Sequence, residues 1–375
     1  MATIRDVARA AGVSIATVSR VYADSPAVSE ESTRRVLSAG ARLDYWPNAA
    51  ARSLTTSRTG ALGVLLPDIH GEFFSEVIRG IDQAACTESF QVIVSGSHAH
   101  ADALVSMGRS LRGRVDGLIV MAPDEACTPA IAQLARSFPI VLLNCSASCD
   151  SCDSISIANF EGAHTLVRHL LSLGHRRIAI ILGPAGNVDA EDRRQGYRAA
   201  LREAGIEPDS ALEFAGDFSE SSGYVAADAL LRHASGVDAV FATNDCMAIG
   251  LLSALQDRGT HVPTDVALAG FDDIAVARYL NPPLTTVRVD AFQLGQRAVS
   301  LWLAHRQDRS VERGPVREVL PVRLVVRGSC GWRPSAGVGK ADSLRERAVP
   351  ARSRAGVVPF GAAGDQPLSS GMPAP

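Results

Sequence analysis

Residues 2–36 read ATIRDVARAAGVSIATVSRVYADSPAVSEESTRRV, and this stretch decides the fold of the N-terminal part of the chain. Thr3, with Asp6 three residues later, is typical of a capping box at the start of a helix. Gly12 can adopt the left-handed conformation that ends this helix without a steric penalty. Ser14 is then placed to cap a second helix. Two short helices joined by a tight glycine-containing turn indicate a helix-turn-helix arrangement.

A third helix is expected to begin at Ser29, with acidic residues in its first turn that favour a helix start. Val36, Leu37 and Leu43 follow at helical spacing, and we expect all three to face inward. The third helix would close a small core against the first two. We therefore assign residues 1–46 to an all-α helix-turn-helix domain.

From residue 61 the pattern changes to short apolar runs separated by amphipathic stretches, which is typical of parallel strands alternating with helices. The runs form two series: 61–67, 90–95, 115–121 and 139–143, then 177–182, 237–243 and 266–270. Two such series predict two doubly wound α/β lobes with a cleft between them. Residues 331–375 lose the periodicity, so we expect a disordered tail.

Charge is unevenly distributed along the chain. Residues 1–60 hold 8 basic and 5 acidic residues, whereas residues 61–330 hold 23 basic and 32 acidic residues. A basic head on an acidic body suits a head that touches DNA. The chain begins with charged residues rather than a signal peptide, and its apolar runs are too short to cross a bilayer. A cytoplasmic protein without a membrane partner is expected.

The N-terminal stretch quoted above resembles the DNA-binding head of the LacI/GalR family of bacterial transcriptional regulators. Residues 43–68, LDYWPNAAARSLTTSRTGALGVLLPD, resemble that family's hinge and its entry into the sensor domain. The later segments that resemble the family are VDGLIV, LGHRRIAIILGP, RRQGY, GDFSESSGY, ATNDCMAIG, VALAGFDD and NPPLTTVRVD. The head motif is highly specific, and the sensor motifs are strong collectively. Layout and the hinge sequence ARSL are close to the purine-repressor branch of the family.

The resemblance implies a periplasmic-binding-protein-like sensor at residues 60–330, whose two lobes are linked by three crossings of the chain. The boundaries it implies are about 60–158 and 288–318 for the N-lobe, and about 159–287 and 319–330 for the C-lobe. It also implies a hinge helix and linker at 47–59 and a homodimer on near-palindromic, double-stranded operator DNA. The family's tetramers use a C-terminal leucine heptad, which residues 341–375 lack, so a dimer is expected.

The resemblance assigns DNA contacts to the start of the second helix. The candidate residues are Ser14, Ile15, Ala16, Thr17, Ser19 and Arg20. Arg20 can bond bidentately to guanine, whereas Ile15 and Ala16 can only pack on thymine methyl groups. The three hydroxyls would bind phosphates, which set register rather than sequence. The alternative is an ordinary exposed helix face.

In the hinge, the resemblance assigns DNA contacts to Asn48, Ala51 and Leu54. The segment favours a helix, but one this short is marginal alone. In the family it folds when two copies pair on operator DNA, and the residue that matches Leu54 wedges between base pairs in the minor groove. The alternative is a linker with a buried leucine. Polar neighbours such as Arg52 and Thr55 favour the wedge.

The resemblance also assigns an effector site in the cleft. Its residues are Phe73, Phe74, Asn144, Arg193, Phe218, Asn244 and Asp272. An arginine paired with a carboxylate suits the neighbouring hydroxyls of a sugar face. Asn144 stands where the family more often has Asp, and an amide both donates and accepts. The structural alternatives are core packing for Phe73 and a helix cap for Asp272.

The seven cysteines are expected to be reduced thiols, since no export signal precedes them. Cys145, Cys149 and Cys152 have the spacing of radical-SAM iron–sulfur loops, and the same spacing can suit zinc. They follow a mid-chain strand, and the resemblance offers no cluster there. We expect an incidental loop with no metal and no cofactor, with metal or redox sensing as the alternative.

These observations predict a ligand-controlled transcriptional regulator, a repressor, whose effector is a sugar or sugar derivative. A purine or nucleoside effector, or a metal or redox signal at the cysteine loop, are alternatives within the same class. Rivals from other classes are a transport binding protein and an enzyme. The DNA-binding head disfavours the first. The second lacks support because the chain has no HExxH, nucleophile elbow or Walker loop.

Overall fold

The computed structural model describes residues 2–23, 25–46, 58–97, 100–145, 152–233, 236–307, 314–332, 345–348 and 358–359. The chain divides into two compact units, a helical head and an α/β unit. Both parts of the predicted fold, the all-α head and the two-lobed α/β domain with parallel sheets, are confirmed.

The head consists of helices α1 (Ile4–Ala11), α2 (Ile15–Tyr22) and α3 (Glu30–Arg42). Each helix contributes one fully buried valine to a small core: Val7, Val18 and Val36. A core this small gains little from burial alone, so local signals such as caps and turns matter for its stability.

The predicted caps of the head are present. Thr3 and Asp6 form the reciprocal capping box of α1. The hydroxyl of Ser14 accepts a hydrogen bond from the backbone N–H of Thr17 at 3.1 Å, which caps α2. Ser29 caps α3 in the same way. Each cap satisfies backbone donors that the first helical turn leaves without a partner.

Gly12 ends α1 with φ 63°, as predicted. The guanidinium of Arg35 donates hydrogen bonds to the carbonyls of Ala11, at 2.5 Å, and of Gly12, at 3.3 Å. A Cβ at Gly12 would lie 2.6 Å from this guanidinium. The turn therefore favours glycine for its backbone conformation and for the close approach of Arg35.

The expectation that Leu37 faces inward is wrong, since its side chain is 49% exposed. Val36 and Ala39 occupy the buried stripe of α3 instead. One residue rotates a helix by about 100°, so a residue next to a buried one points away from the core. Leu43, in contrast, packs against the core of the head as expected.

The α/β unit is built from strands and helices that alternate along the chain. Its strands are β1 (Ala61–Leu66), β2 (Gln91–Gly96), β3 (Gly117–Met121), β4 (Ile140–Leu143), β5 (Asp153–Ile157), β6 (Ile178–Ile181), β7 (Glu213–Phe214), β8 (Ala239–Ala242), β9 (Ala267–Ala269), β10 (Thr286–Arg288), β11 (Arg317–Leu320), β12 (Arg323–Val326), β13 (Arg345–Ala348) and β14 (Val358–Pro359). Its helices are α4 (Glu72–Thr87), α5 (Ala101–Leu111), α6 (Thr128–Ala135), α7 (Asn159–Ser172), α8 (Val188–Glu203), α9 (Glu220–His233), α10 (Asp245–Asp257) and α11 (Ala291–Gln307).

The first sheet has the order β14-β11-β5-β4-β3-β1-β2. The pairs β1–β3, β3–β4, β4–β5, β5–β11 and β11–β14 are parallel. β1 and β3 are buried along their whole length, as predicted for strands covered on both faces. β2 differs: Ile93 and Val94 are exposed, because this strand forms an edge of the sheet.

The second sheet has the order β7-β6-β8-β9, and all of its pairs are parallel. The chain leaves the first sheet after β5, returns to it between β10 and β11, and leaves it again between β11 and β12. Because both sheets are parallel, the carboxyl ends of their strands each meet along one edge. Loops that follow the strands therefore bring side chains together there.

A third, small sheet has the order β10-β12-β13 and is antiparallel. Its strand β13, and β14 of the first sheet, lie within residues 331–375, for which no regular structure is expected. Both strands pair with the edge of an existing strand. The edge of an existing strand supplies backbone hydrogen bonds to β13 and β14, and the sequence pattern of residues 331–375 does not predict this pairing. None of the helices in the described residues is long and apolar enough to cross a membrane.

Candidate functional site

The start of α2 presents the side chains expected to read DNA. Val18 and Val21 are buried against the head, whereas Ile15 is 46% exposed and Arg20 is exposed on the opposite face. Ala16 is exposed as well, and Thr17 and Ser19 are half-buried. Single exposed apolar residues are ordinary on protein surfaces, so the exposure of Ile15 and Arg20 is compatible with a helix that enters the major groove, and their base contacts stay a prediction.

The hydroxyl of Ser14 has a structural role in the free head. Its Oγ lies 2.9 Å from Oγ1 of Thr17 and also caps the helix. A phosphate contact from Ser14 would have to be shared with this cap. The predicted hinge residues Asn48, Ala51 and Leu54 lie outside the described residues, and their roles stay predictions.

The predicted cleft pair, Arg193 and Asp272, is brought together. Nη2 of Arg193 lies 3.4 Å from Oδ1 of Asp272, and both side chains are almost fully buried. Nε donates to Oδ1 of Asn159 at 2.8 Å, and Nη1 donates to the carbonyl of Thr243 at 2.5 Å. The guanidinium carbon is 3.8 Å from the ring centre of Phe271. Arg193 is therefore fixed by contacts on every side.

Asp272 follows β9 in a strained backbone conformation, with φ 111°. Its N–H donates to the carbonyl of Val287 at 2.8 Å, and its carbonyl accepts from the N–H of Val289 at 3.1 Å. A strained backbone conformation persists where surrounding contacts hold it in place, and such places are commonly ligand sites. Burial raises the pKa of Asp272 to about 6, although the charge of Arg193 opposes the rise.

Asn144 ends β4 with φ 45° and is 2% exposed. Its backbone N–H donates to the carbonyl of Ile155 at 2.9 Å. Neither its side-chain oxygen nor its side-chain nitrogen has a hydrogen-bond partner among the described residues. A buried amide without partners costs free energy unless another group supplies them, and a ligand hydroxyl can both donate and accept.

The aromatic candidates are partly buried around the same sheet edges. Phe73 and Phe74 begin α4 and meet edge to face, with ring centres 5.4 Å apart. Phe218 has φ 72°, and its ring lies over Gly183, where a Cβ would be 2.3 Å away. Both phenylalanines of α4 also pack against the core, so the alternative of core packing holds for part of each ring.

Asn244 has a structural role in addition to any contact with a ligand. Its Oδ1 accepts from the N–H of Met247 at 2.9 Å and so caps α10. Its Nδ2 donates to the carbonyl of Phe218 at 2.9 Å, which holds the loop that carries this ring. The side-chain amide of Asn244 thus positions the loop that carries the Phe218 ring. A direct contact between Asn244 and an effector stays a prediction.

Two polar residues that contact the Arg193 cluster, Asp189 and Asn159, were not predicted from the sequence. Asn159, at the start of α7, donates to Oδ1 of Asp189 at 2.7 Å and accepts from Arg193. Burial raises the pKa of Asp189 to about 7, and the charges of Asp192 and Asp272 add to the rise. The signal available in the sequence was the position of Asp189 in the first turn of α8, four residues before Arg193.

Asp245 and Asp273 form a second buried group beside Asp272. Oδ1 of Asp245 accepts from the hydroxyl of Thr286 at 2.6 Å, and burial raises its pKa well above the usual value. Oδ1 of Asp273 lies 2.6 Å from Nη2 of Arg327, and its Oδ2 accepts from Nε of Arg288 at 2.6 Å. These bonds fix the loop that aims Asp272.

Hydrogen bonds from backbone N–H groups, among them those of Glu125, Val188 and Ala275, join the lobes around the cleft. The N–H of Val188 donates to the carbonyl of Pro123 at 3.0 Å. The N–H of Ala275 donates to the carboxylate of Glu72. These contacts tie the element that carries Asp189 to the lobe that carries Asn144, so groups from both lobes face one another.

Comparison with known proteins agrees with this architecture. Residues 3–48 match the bacterial regulatory proteins of the lacI family, and residues 167–330 match a periplasmic binding protein-like domain. The HTH-type transcriptional regulator GalR of Escherichia coli (strain K12) is 38% identical over 314 residues, which cover 82% of this chain and 90% of GalR. The chain belongs to the LacI family.

Solved structures of the LacI family have the same fold. A lac repressor dimer bound to operator and an anti-inducer is 31% identical, with a TM-score of 0.80 over 88% of this chain and 99% of that one. A complex of the transcriptional regulator CelR with cellobiose is 32% identical, with a TM-score of 0.67 over 88% of this chain and all of that one. This LacI-family chain is accordingly a DNA-binding transcriptional regulator with a small-molecule effector, not an enzyme.

Cys145 and Cys152 are the two cysteines of the predicted cysteine loop that lie in the described residues. Cys145 is a free thiol whose Sγ accepts from the N–H of Ala122 at 3.3 Å, and burial raises its pKa to about 12. A thiol so rarely ionised is a poor nucleophile and metal ligand. Among the described residues, no group of three or more His, Cys, Asp or Glu is arranged to hold a metal ion.

The expectation of reduced cysteines is wrong for Cys152, which is disulfide-bonded. The expectation rested on the absence of an export signal alone. Cys86, Cys127, Cys246 and Cys330 are free, as expected. Cys149 lies outside the described residues.

Proposed function

We propose that this regulator is a repressor released or recruited by a sugar or sugar derivative bound in the cleft between its lobes. One observation carries the proposal. Among the described residues the buried side-chain amide of Asn144 has no hydrogen-bond partner, and the facing lobe supplies the fixed Arg193–Asp272 pair. Sugar hydroxyls both donate and accept, so a sugar can satisfy an amide and a carboxylate at once.

The aromatic rings support the same ligand class. Sugars combine a polar rim with apolar C–H faces, and aromatic rings cover such faces. Phe73, Phe74 and Phe218 lie at the sheet edges that carry the polar groups. The binding of cellobiose by one solved LacI-family relative is in line with this class of effector.

On the DNA side, we infer a homodimer that binds a near-palindromic operator from the cytoplasm. The exposed face of α2 would read bases through Arg20, Ile15 and Ala16, and Leu54 of the hinge would enter the minor groove. A lac repressor relative is a dimer on its operator, which supports the same assembly here. The domain boundaries inferred above, with a hinge at 47–59 and a sensor at 60–330, fit this arrangement.

The proposal is tested with the full-length chain and an operator selected from random DNA. Thermal unfolding is followed against a panel of neutral sugars, sugar phosphates, nucleosides and purines. A ligand at 100 times its Kd adds about 2.7 kcal/mol to the free energy of unfolding. A stabilising sugar should change operator affinity at least tenfold. If only purines stabilise the protein, the effector class is purine rather than sugar. If no compound of the panel stabilises the protein, the proposal is refuted.

A further inference from the structure

An open groove between α1 and α3 of the head is lined by four arginines, Arg9, Arg34, Arg35 and Arg42. Glu31 is the one acidic residue among the described residues that line this groove, and the other lining residues are uncharged. Four positive charges and one negative charge leave a net charge of +3. We call this surface the basic groove, and its charge favours an anionic partner.

Most of the positive charge in the basic groove is open to a partner. Arg34 and Arg42 are exposed and have no hydrogen bond or ion pair to another described residue. Arg9 lies 3.7 Å from Asp6, but its side chain is 83% exposed, and surface pairs of this kind contribute little. Arg35 differs, since its guanidinium donates to backbone carbonyls at the end of α1 and so has a structural role. Arg9, Arg34 and Arg42 can therefore bind an anion with little loss of existing contacts.

The spacing of the arginines suits the repeating charge of a phosphate backbone. Arg34 and Arg42 are eight residues apart on α3, which separates their Cα atoms by about 12 Å along the helix axis. One strand of duplex DNA carries a charge about every 3.4 Å of axis, so about three to four phosphates lie within this length. Arginine forks can bind phosphate oxygens bidentately. A rigid row of cations that spans several phosphates favours DNA over a small anion or an acidic segment with irregular charge.

The basic groove lies on a different side of the head from the surface expected to read bases. None of the described residues that line the groove belongs to α2. This helix packs on the core of the head through Val18 and Val21, whereas Ile15 and Arg20 are exposed. In a three-helix head, a groove lined by two helices alone faces away from the third. Operator DNA on the exposed face of α2 thus leaves the basic groove accessible.

We propose that the basic groove binds the phosphate backbone of a second DNA duplex while α2 holds the operator. Arginine contacts to phosphates carry no sequence information, so the second duplex is bound whatever its sequence. Arg34 and Arg42 supply the attraction, Arg35 fixes the wall of the groove, and Glu31 lowers the affinity by repulsion. The regulator thereby joins two DNA segments through its heads, without any need for an effector.

The test uses the full-length protein on an immobilised palindromic operator, which occupies the α2 helices of both subunits of the dimer. A labelled duplex without the operator sequence is then added, and the captured label is measured at 50 to 200 mM salt. The wild type should capture this duplex, with an affinity that falls steeply as the salt concentration rises. Arg34→Ala/Arg42→Ala should lower the affinity for the second duplex at least tenfold at 50 mM salt. Its plot of log affinity against log salt should be shallower by about 1.8, since each phosphate contact contributes about 0.9 to the slope.

Further variants separate the basic groove from the net charge of the protein. Arg109→Ala/Arg136→Ala removes the same charge from exposed positions of the sensor and should capture the second duplex as the wild type does. Arg34→Lys/Arg42→Lys keeps the charge and should retain the affinity for the second duplex within about threefold. Glu31→Gln removes the repulsive carboxylate and should raise this affinity at least twofold.

Operator affinity, expected to stay within threefold of the wild type in every variant, checks the fold of the head. If Arg34→Ala/Arg42→Ala fails this check, Glu31→Gln decides, and an unchanged affinity of Glu31→Gln for the second duplex then refutes the proposal. Polyglutamate of equal total charge should displace the second duplex at least tenfold less well than unlabelled random DNA does. Equal displacement would assign the basic groove to an acidic protein instead.

Two results of the capture measurement would overturn the proposal directly. One is equal capture by the wild type and Arg34→Ala/Arg42→Ala, and the other is an operator-bound wild type that captures no second duplex. Loss of capture in Arg109→Ala/Arg136→Ala as well would show that net charge, and not the basic groove, holds the second duplex. No sugar enters the measurement, so each of these results leaves the proposed effector function untouched.

Discussion

Arg193 and Asp272 lie on two different elements of the C-lobe, with Nη2 and Oδ1 3.4 Å apart and both side chains almost fully buried. An ion pair in such a place is weak evidence for stability, because the loss of hydration offsets much of the attraction. It is better evidence for a binding site, since one partner is strained at φ 111°.

Asp272→Asn should weaken effector binding tenfold or more and leave the fold intact. The change keeps the shape of the side chain but replaces an oxygen by a donor, at a cost of about 1–3 kcal/mol for one unsatisfied bond. Calorimetry with a sugar that stabilises the protein in the thermal-unfolding panel gives the affinity. Asp228→Asn, at an exposed ion pair with Arg258, is the control and should bind as the wild type does. Unchanged affinity in Asp272→Asn would move the site elsewhere.

Arg193→Ala should lower the free energy of unfolding more than Asp272→Asn does. It removes a guanidinium that Asn159, Thr243 and Asp272 contact, and leaves a buried carboxylate unpaired. Breaking a buried pair in this way costs about 3–5 kcal/mol. Urea unfolding measures the loss. A variant as stable as the wild type would show that the pair carries no structural role.

Effector affinity should rise as the pH increases from about 6 to about 8. Burial raises the pKa of Asp189 to about 7, with Asp192 and Asp272 adding to it and Arg193 opposing it. A ligand hydroxyl stabilises the ionised carboxylate, so binding releases a proton. Calorimetry in buffers of different ionisation enthalpy detects the proton, and Asp189→Asn should release none. The neighbouring Cys145 thiol does not titrate in this range.

The same group makes the unliganded protein less stable as the pH rises. The folded state holds the proton of Asp189 more tightly than the unfolded state, whose pKa is near the usual 3.8. Its contribution to the free energy of unfolding is therefore fully present below about pH 4 and is lost as the pH rises through 7. The wild type should lose more stability between these pH values than Asp189→Asn. Parallel curves would contradict the raised pKa.

Gly12→Ala should destabilise the head locally. A residue with a Cβ at φ 63° costs about 1–2 kcal/mol, while the tip of Arg35 can shift to make room. Hydrogen exchange of α1 and α2 in the full-length protein should accelerate roughly 5- to 30-fold. Ala10→Ser, at an exposed position of α1, should exchange as the wild type does. Equal protection in both variants would show that the turn tolerates a side chain.

Leu54→Ala should weaken specific operator binding about tenfold or more and leave non-specific binding at low salt nearly unchanged. The proposed minor-groove wedge would be lost, while phosphate contacts would remain. Leu37→Ala removes the same atoms from an exposed position of the head and serves as the control. Gel shifts on operator and on random DNA compare the two. A parallel fall of both affinities would make Leu54 structural.

Much of the fold follows from short-range signals. The caps at Thr3, Ser14 and Ser29 and the turn at Gly12 are local, so the sequence predicts them well. The apolar runs of the two sheets are also visible as sequence. The position of a strand in its sheet is not a local property: β2 contains the apolar run Val92–Val94, yet Ile93 and Val94 are exposed at the edge of the sheet.

The site was predictable in part, and for a similar reason. Resemblance pointed to Arg193 and Asp272, and the structure pairs them. Asp189 was missed because its role depends on Asn159, a residue 30 positions away that lies on another helix. Asn244 has the expected position, but its amide is engaged in capping α10, which only the three-dimensional loop reveals.

The central claim is that a sugar bound in the cleft controls the affinity of the protein for operator DNA. One titration tests this claim most directly. Fluorescently labelled operator is bound by wild type and by Asp272→Asn, and effector is added while anisotropy is followed. The account predicts a saturable change of at least tenfold in operator affinity for the wild type, shifted to at least tenfold higher effector concentration in Asp272→Asn. Superimposable curves for the two proteins, or an operator affinity that no sugar changes, would contradict it.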